Sequence, residues 1–103
     1  NIENRILKIM VPCDICLRPQ QRKMIETDLI IPLGLFGIIA PEKSLLSEEG
    51  LLVVSGVFKA EQRVYVEIMN LNQNPTTAIQ SFAGDKNIYL KQNDQIAVLF
   101  LVS

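Results

Sequence analysis

Apolar residues recur at every second position through most of this sequence, in short runs separated by turn-forming residues. A period of two places alternate side chains on opposite faces of an extended chain, so these runs fit strands and fit helices poorly. Strands are expected over Arg5 to Val11, Cys13 to Leu17, Lys23 to Ile31, Leu35 to Ala40, Leu51 to Phe58, Arg63 to Leu71, Ala78 to Phe82 and Gln95 to Val102. Breaks fall at Pro12, Pro19 to Gln21, Pro32-Leu33-Gly34, Pro41, Gly50, Asn72 to Pro75, Gly84-Asp85 and Asn93-Asp94, mostly turn chemistry at the spacing of a sandwich or barrel. The one helical candidate, Glu42 to Glu49, is a turn or two. An all-β domain spanning residues 1–103 is expected.

Charge and composition narrow the function classes. Ten basic residues face eleven acidic ones, with no block of like charge, so the clustered cations of a nucleic-acid binder are missing. The longest apolar run, Ile96 to Val102, is far short of the roughly 20 residues that span a bilayer as a helix. No signal-peptide pattern stands at the start, and a first residue Asn1 is read as a processed or trimmed end. The sequence contains no histidine, which excludes Ser-His-Asp and Cys-His catalysis. Cys13 and Cys16 form a lone Cys-x-x-Cys with no second ligand pair, and read as reduced thiols behaving as small hydrophobes. Neither a metal nor another cofactor is expected. The run Ile96 to Val102 is apolar on both faces, which fits either a central core strand or one that packs across a subunit interface.

Three segments together resemble the trimeric dUTPase family, whose fold dCTP deaminases share. Ile25 to Ser44 (IETDLIIPLGLFGIIAPEKS) is similar to a Pro-Thr-aliphatic strand followed by Pro-x-Gly-aromatic-Gly and Pro-Arg-Ser. Gly50 to Asn72 aligns with the family's Gly-Val-Ile-Asp-x-x-Tyr-Arg-Gly-Glu hairpin, and Lys91 to Val102 with Gly-Asp-Arg-Ile-Ala-Gln-Leu-Ile. The resemblance implies a distorted β-barrel or jelly-roll sandwich and a homotrimer.

It also implies a site that this chain departs from at several positions. Lys8 stands where an Asp positions the metal-bound triphosphate, Lys59 where an Asp activates water, and Gln62 where a Tyr excludes ribose. Val64-Tyr65 replaces Gly-Glu, Val98 replaces a Gln, and a Gly-rich arm has no counterpart before Ser103. Lys43, Ser44 and Arg63 persist as vestigial phosphate contacts. Because an ammonium cannot accept the proton of an attacking water, the reading is a non-enzymatic, dUTPase-derived module for protein interaction or assembly. A virus is the expected source, with a location in the host cytoplasm or nucleus and a host or viral protein as partner. Degenerate relatives of this kind are known in herpesviruses, adenoviruses and lentiviruses. The alternative is a residual dUTPase or nucleotide-binding domain of a nucleotide-metabolism enzyme or polyprotein. Function is expected to reside in the loop Pro41 to Glu49, with Leu45 and Leu46 as partner contacts, or next in the turn Gly84 to Asn87.

Overall fold

The computed structural model describes residues 5–42, 44–73 and 86–103. Nine strands run through them: β1 (Arg5–Met10), β2 (Ile15–Leu17), β3 (Arg22–Ile30), β4 (Phe36–Pro41), β5 (Leu51–Val53), β6 (Gly56–Phe58), β7 (Arg63–Asn70), β8 (Ile88–Leu90) and β9 (Gln95–Val102). Pairing is antiparallel throughout, in sheets ordered β1-β9-β4-β6, β3-β7-β5 and β2-β8. Among the described residues the sheets stay separate and close no barrel, which narrows the expected architecture there to an open sandwich of short strands. The expected strand Ala78 to Phe82 lies outside the described residues, as do Lys43, Gly84 and Asp85.

Alternation decides the core. On β7, Val64, Val66 and Ile68 point inward and are buried; on β9, Ala97, Leu99 and Leu101 do the same. Ile9, Ile39 and Phe58 complete the four-stranded layer, Ile25, Leu51 and Val53 the three-stranded one, and Ile15, Leu17, Ile88 and Leu90 the small sheet. Apolar burial of this kind stabilises each side chain by about 1.5–3 kcal/mol.

One expected strand is two. In Leu51 to Phe58 the buried positions are Leu51 and Val53, then Phe58, so the inward phase slips from odd to even. The slip falls at Val54-Ser55, where the chain leaves the three-stranded sheet and crosses to the edge of the four-stranded one. The helical candidate shrinks to a single wide turn, Leu45–Glu49, stopped by Gly50 at φ 74°. A Cβ on Gly50 would also lie 2.9 Å from the Asn72 side-chain oxygen.

Three tight turns share one construction. In Arg18–Gln21, Lys59–Gln62 and Lys91–Asp94 the last residue donates its N–H to the first residue's carbonyl. The third residue (Gln20, Glu61, Asn93) has positive φ. The fourth side chain accepts from the first residue's N–H, at 2.9 Å for Gln21, 2.6 Å for Gln62 and 2.8 Å for Asp94. Each turn thereby satisfies backbone groups that the neighbouring strands leave unpaired.

The cysteines differ from expectation. Ile15 and Leu17 take the inward positions of β2, which leaves Cys16 outward, opposite Tyr89; Cys13 lies in the preceding bend. Both are exposed free thiols, not packed ones.

Candidate functional site

The crossing at Val54-Ser55 opens a cleft against β7. It is lined by Val54 to Phe58 on one side and by Gln62, Arg63, Tyr65 and Glu67 on the other, with Ile39 also lining it, and measures about 170 Å³. Its β7 wall follows from alternation: with Val64 and Val66 in the core, Arg63, Tyr65 and Glu67 share the outward face. The Tyr65 ring meets Phe58 edge to face at 5.1 Å and remains 43% exposed. The Glu67 carboxylate pairs with Arg22 of β3 at 3.2 Å.

Gln62 and Arg63 line the cleft, and Lys59 and Glu61 of the adjoining turn, which do not line it, are exposed as well. Gln62 is held by its bond to the Lys59 N–H, so its side chain serves the turn. The cleft is small beside the roughly 300–1,000 Å³ of typical ligand pockets. One wall of a nucleotide site fits that volume; a whole nucleotide does not.

The predicted site residues are divided between two places. Arg63 lines the cleft, while Ser44 opens the helical turn and takes no part in lining it. Lys43 lies outside the described residues. Leu45 and Leu46 part company: Leu45 is half-buried against the core, and Leu46 is 48% exposed. Lys8 borders a second cleft with Glu26, Thr27 and Asp28, beside the irregular stretch of β3 where Glu26 faces Tyr65 and Ile30 faces Arg63. Tyr65 and Glu67 were not among the sequence candidates, although their two-residue spacing from Arg63 already puts all three on one strand face.

Among the described residues no three His, Cys, Asp or Glu side chains come together to hold a metal ion. Residue 8, where the resemblance implies the acid facing a metal-bound triphosphate, is a lysine. This donor set does not fit a protein-held metal, and no step below runs through one.

Comparison with solved structures shows which fold this is. A staphylococcal bacteriophage 80alpha dUTPase, solved with dUpNHpp, matches with a TM-score of 0.73 over 92% of this chain and 70% of its own, at 20% identity. EIAV dUTPase matches with a TM-score of 0.68 over 93% of this chain and 72% of its own, at 24% identity. This chain has the dUTPase-like fold.

Curated sequences agree. The deoxyuridine 5'-triphosphate nucleotidohydrolase of Mycobacterium marinum is 32% identical over 77 residues, covering 71% of this chain and 50% of its own length. That of Candida albicans is 29% identical over 80 residues, covering 76% and 44%. The dUTPase-like chain thus spans about half the length of the curated relatives it matches. No family model matches it.

These comparisons correct the expectation that the chain is not an enzyme. Its sequence relatives are named nucleotidohydrolases and its fold neighbours dUTPases, so the kinship points to an enzyme. That expectation rested on the departures at Lys8, Lys59, Gln62, Val64-Tyr65 and Val98 and on the missing arm, and departures from a family pattern do not by themselves remove an activity.

Proposed function

We propose that this dUTPase-like chain is a subunit of an enzyme that hydrolyses a deoxyuridine triphosphate to the monophosphate and pyrophosphate. The observation that carries the reading is the cleft between the β5–β6 crossing and β7, with Arg63 in its lining and Lys59 on the adjoining turn. Lys59 and Arg63 offer charge-assisted donors to the triphosphate. Glu61, the carboxylate of the same turn, is the group we assign to take the proton of the attacking water. Lys43 and Ser44 are assigned to the phosphates across a subunit boundary, since Ser44 does not line the cleft of its own chain. Residues 1–103 act as one domain in this reading.

Self-association supplies the missing walls. The outward face of the four-stranded sheet carries the row Ile6, Phe100, Ile38 and Val57, one residue from each strand in register, flanked by Phe36 and Val102. Ile6 and Val57 are 61% and 70% exposed. Contiguous apolar faces of this kind mark interaction surfaces, and a trimer is the assembly proposed. Leu46 is the remaining candidate contact for another protein. Phage and EIAV proteins among the fold neighbours favour a viral source, and with it a location inside a host cell. The described residues contain no helix long and apolar enough to cross a membrane.

Incubation with dUTP while pyrophosphate is measured tests the activity. Turnover is expected, and Glu61→Gln should lower it by ~10²–10⁴-fold. Absence of both pyrophosphate release and dUMP binding overturns the reading.

A further inference from the structure

We propose that Tyr65 is the base-gripping residue of this cleft and selects a single-ring pyrimidine. The inference rests on the nucleotide reading above and assigns a role at that site to a residue outside the resemblance. At this position the family pattern has a glutamate, so the aromatic ring is a property of this chain.

The placement argues for it in three ways. First, Arg63, Tyr65 and Glu67 form an outward stripe of cation, aromatic ring and carboxylate, with neighbours about 6.6 Å apart along the strand. A nucleotide with its phosphates at the Arg63 end sets its base over Tyr65 and a base N–H donor towards Glu67. Second, the edge-to-face contact with Phe58, at 5.1 Å and 89°, holds the Tyr65 ring before any ligand arrives. A ring already fixed loses little freedom on binding. Third, a ring left 43% exposed in a 170 Å³ cleft offers a stacking surface with room for one small ring. Phe58 itself is buried and cannot take that place.

The family's Tyr position, residue 62, is a glutamine engaged with the Lys59 N–H. Tyr65 therefore supplies the aromatic contact from the neighbouring strand and not from the turn.

Calorimetric titration of dUMP and dGMP into the wild-type protein, Tyr65→Phe and Tyr65→Ala tests the assignment, with melting temperatures measured alongside. Wild type and Tyr65→Phe should bind dUMP alike and prefer it to dGMP. Tyr65→Ala should bind dUMP at least about ten-fold more weakly, the lower range of base–aromatic stacking. If Tyr65→Ala unfolds, the ring signals of Tyr65 in the wild-type NMR spectrum decide instead: upfield shifts on adding dUMP support stacking, and unmoved signals overturn it. Wild-type binding of dUMP that Tyr65→Ala retains in full, or equal binding of dGMP, overturns this proposal and leaves the nucleotide reading standing. No binding of dUMP to the wild type overturns this proposal, and together with no pyrophosphate release from dUTP it overturns the nucleotide reading as well.

Discussion

Asn70 is fully buried, and every polar atom of its side chain is engaged. Its amide donates to the Leu17 carbonyl at 2.9 Å and the Lys86 carbonyl at 2.8 Å, and its oxygen accepts from the Asn72 N–H at 2.9 Å. One side chain thus ties the end of β7 to β2 and to the residues that lead into β8. Each buried group left without a partner costs about 1–3 kcal/mol, so Asn70→Ala should lower stability by about 3 kcal/mol. A urea midpoint unchanged from wild type would show that the three bonds contribute nothing net. Gly37 is the converse case, a place with no room. A Cβ there would stand 2.6 Å from Ile31 Cδ1 and 2.9 Å from Leu99 Cδ1, both in the core. Overpacking of this kind costs about 1–3 kcal/mol; Gly37→Ala should therefore melt earlier, and equal or higher stability would mean the two methyl groups move aside freely.

At the scale of elements, the helical turn Leu45–Glu49 separates two leucines that the sequence presents as equivalent. Leu45 packs on the core and Leu46 is largely exposed. Leu45→Ser should reduce stability by about 1–3 kcal/mol, whereas Leu46→Ser should stay within about 0.5 kcal/mol of wild type. Paired thermal melts check the difference, and equal losses at the two positions would contradict the assigned orientation. The β6–β7 turn belongs to the same scale. Its Gln62 bond resembles those of Gln21 and Asp94 in the two other turns, which gives a structural reason for glutamine where the family has tyrosine. The irregular pairing of β3 also has a local cause. Between Glu26 and Ile30 that strand has three residues against one on β7, and Thr27 fills the gap by donating to the Val64 carbonyl at 2.7 Å and accepting from the Leu29 N–H at 3.1 Å.

For the whole molecule, the apolar row Ile6–Phe100–Ile38–Val57 is the surface proposed for association. Ile6→Lys and Val57→Lys place charges at exposed sites, so each should leave the folding free energy within about 0.5 kcal/mol of wild type. Together they should convert a trimer to a monomer in light scattering, because an unpaired charge resists burial in an apolar interface. A monomeric wild-type protein at high concentration would remove the assembly. The same row settles the two-sided apolar strand. β9 lies between β1 and β4, its inner face buried by Ala97, Leu99 and Leu101, its outer face only half covered at Val98, Phe100 and Val102. It is a central strand, and its outer face is the surface offered for association.

The sequence by itself determined where strands run and where they stop. Period-two alternation and turn residues act over a few neighbouring positions, which is why β1, β3, β4, β7 and β9 lie within about two residues of their expected bounds. The family resemblance was legible for the same reason, since it rests on the order and spacing of local motifs. Alternation says which residues share a face, but it leaves open which face is inside and which strand lies alongside. Those depend on pairing between residues far apart in the chain, such as Phe36 with Val102 or Leu51 with Asn70. Tertiary structure therefore decided the layer switch at Val54-Ser55, the short strand β8, the separate fates of Leu45 and Leu46, and the cleft that gathers Arg63, Tyr65 and Glu67. Each is fixed by which apolar face reaches the core first, and that competition is settled only when both sheets are in place.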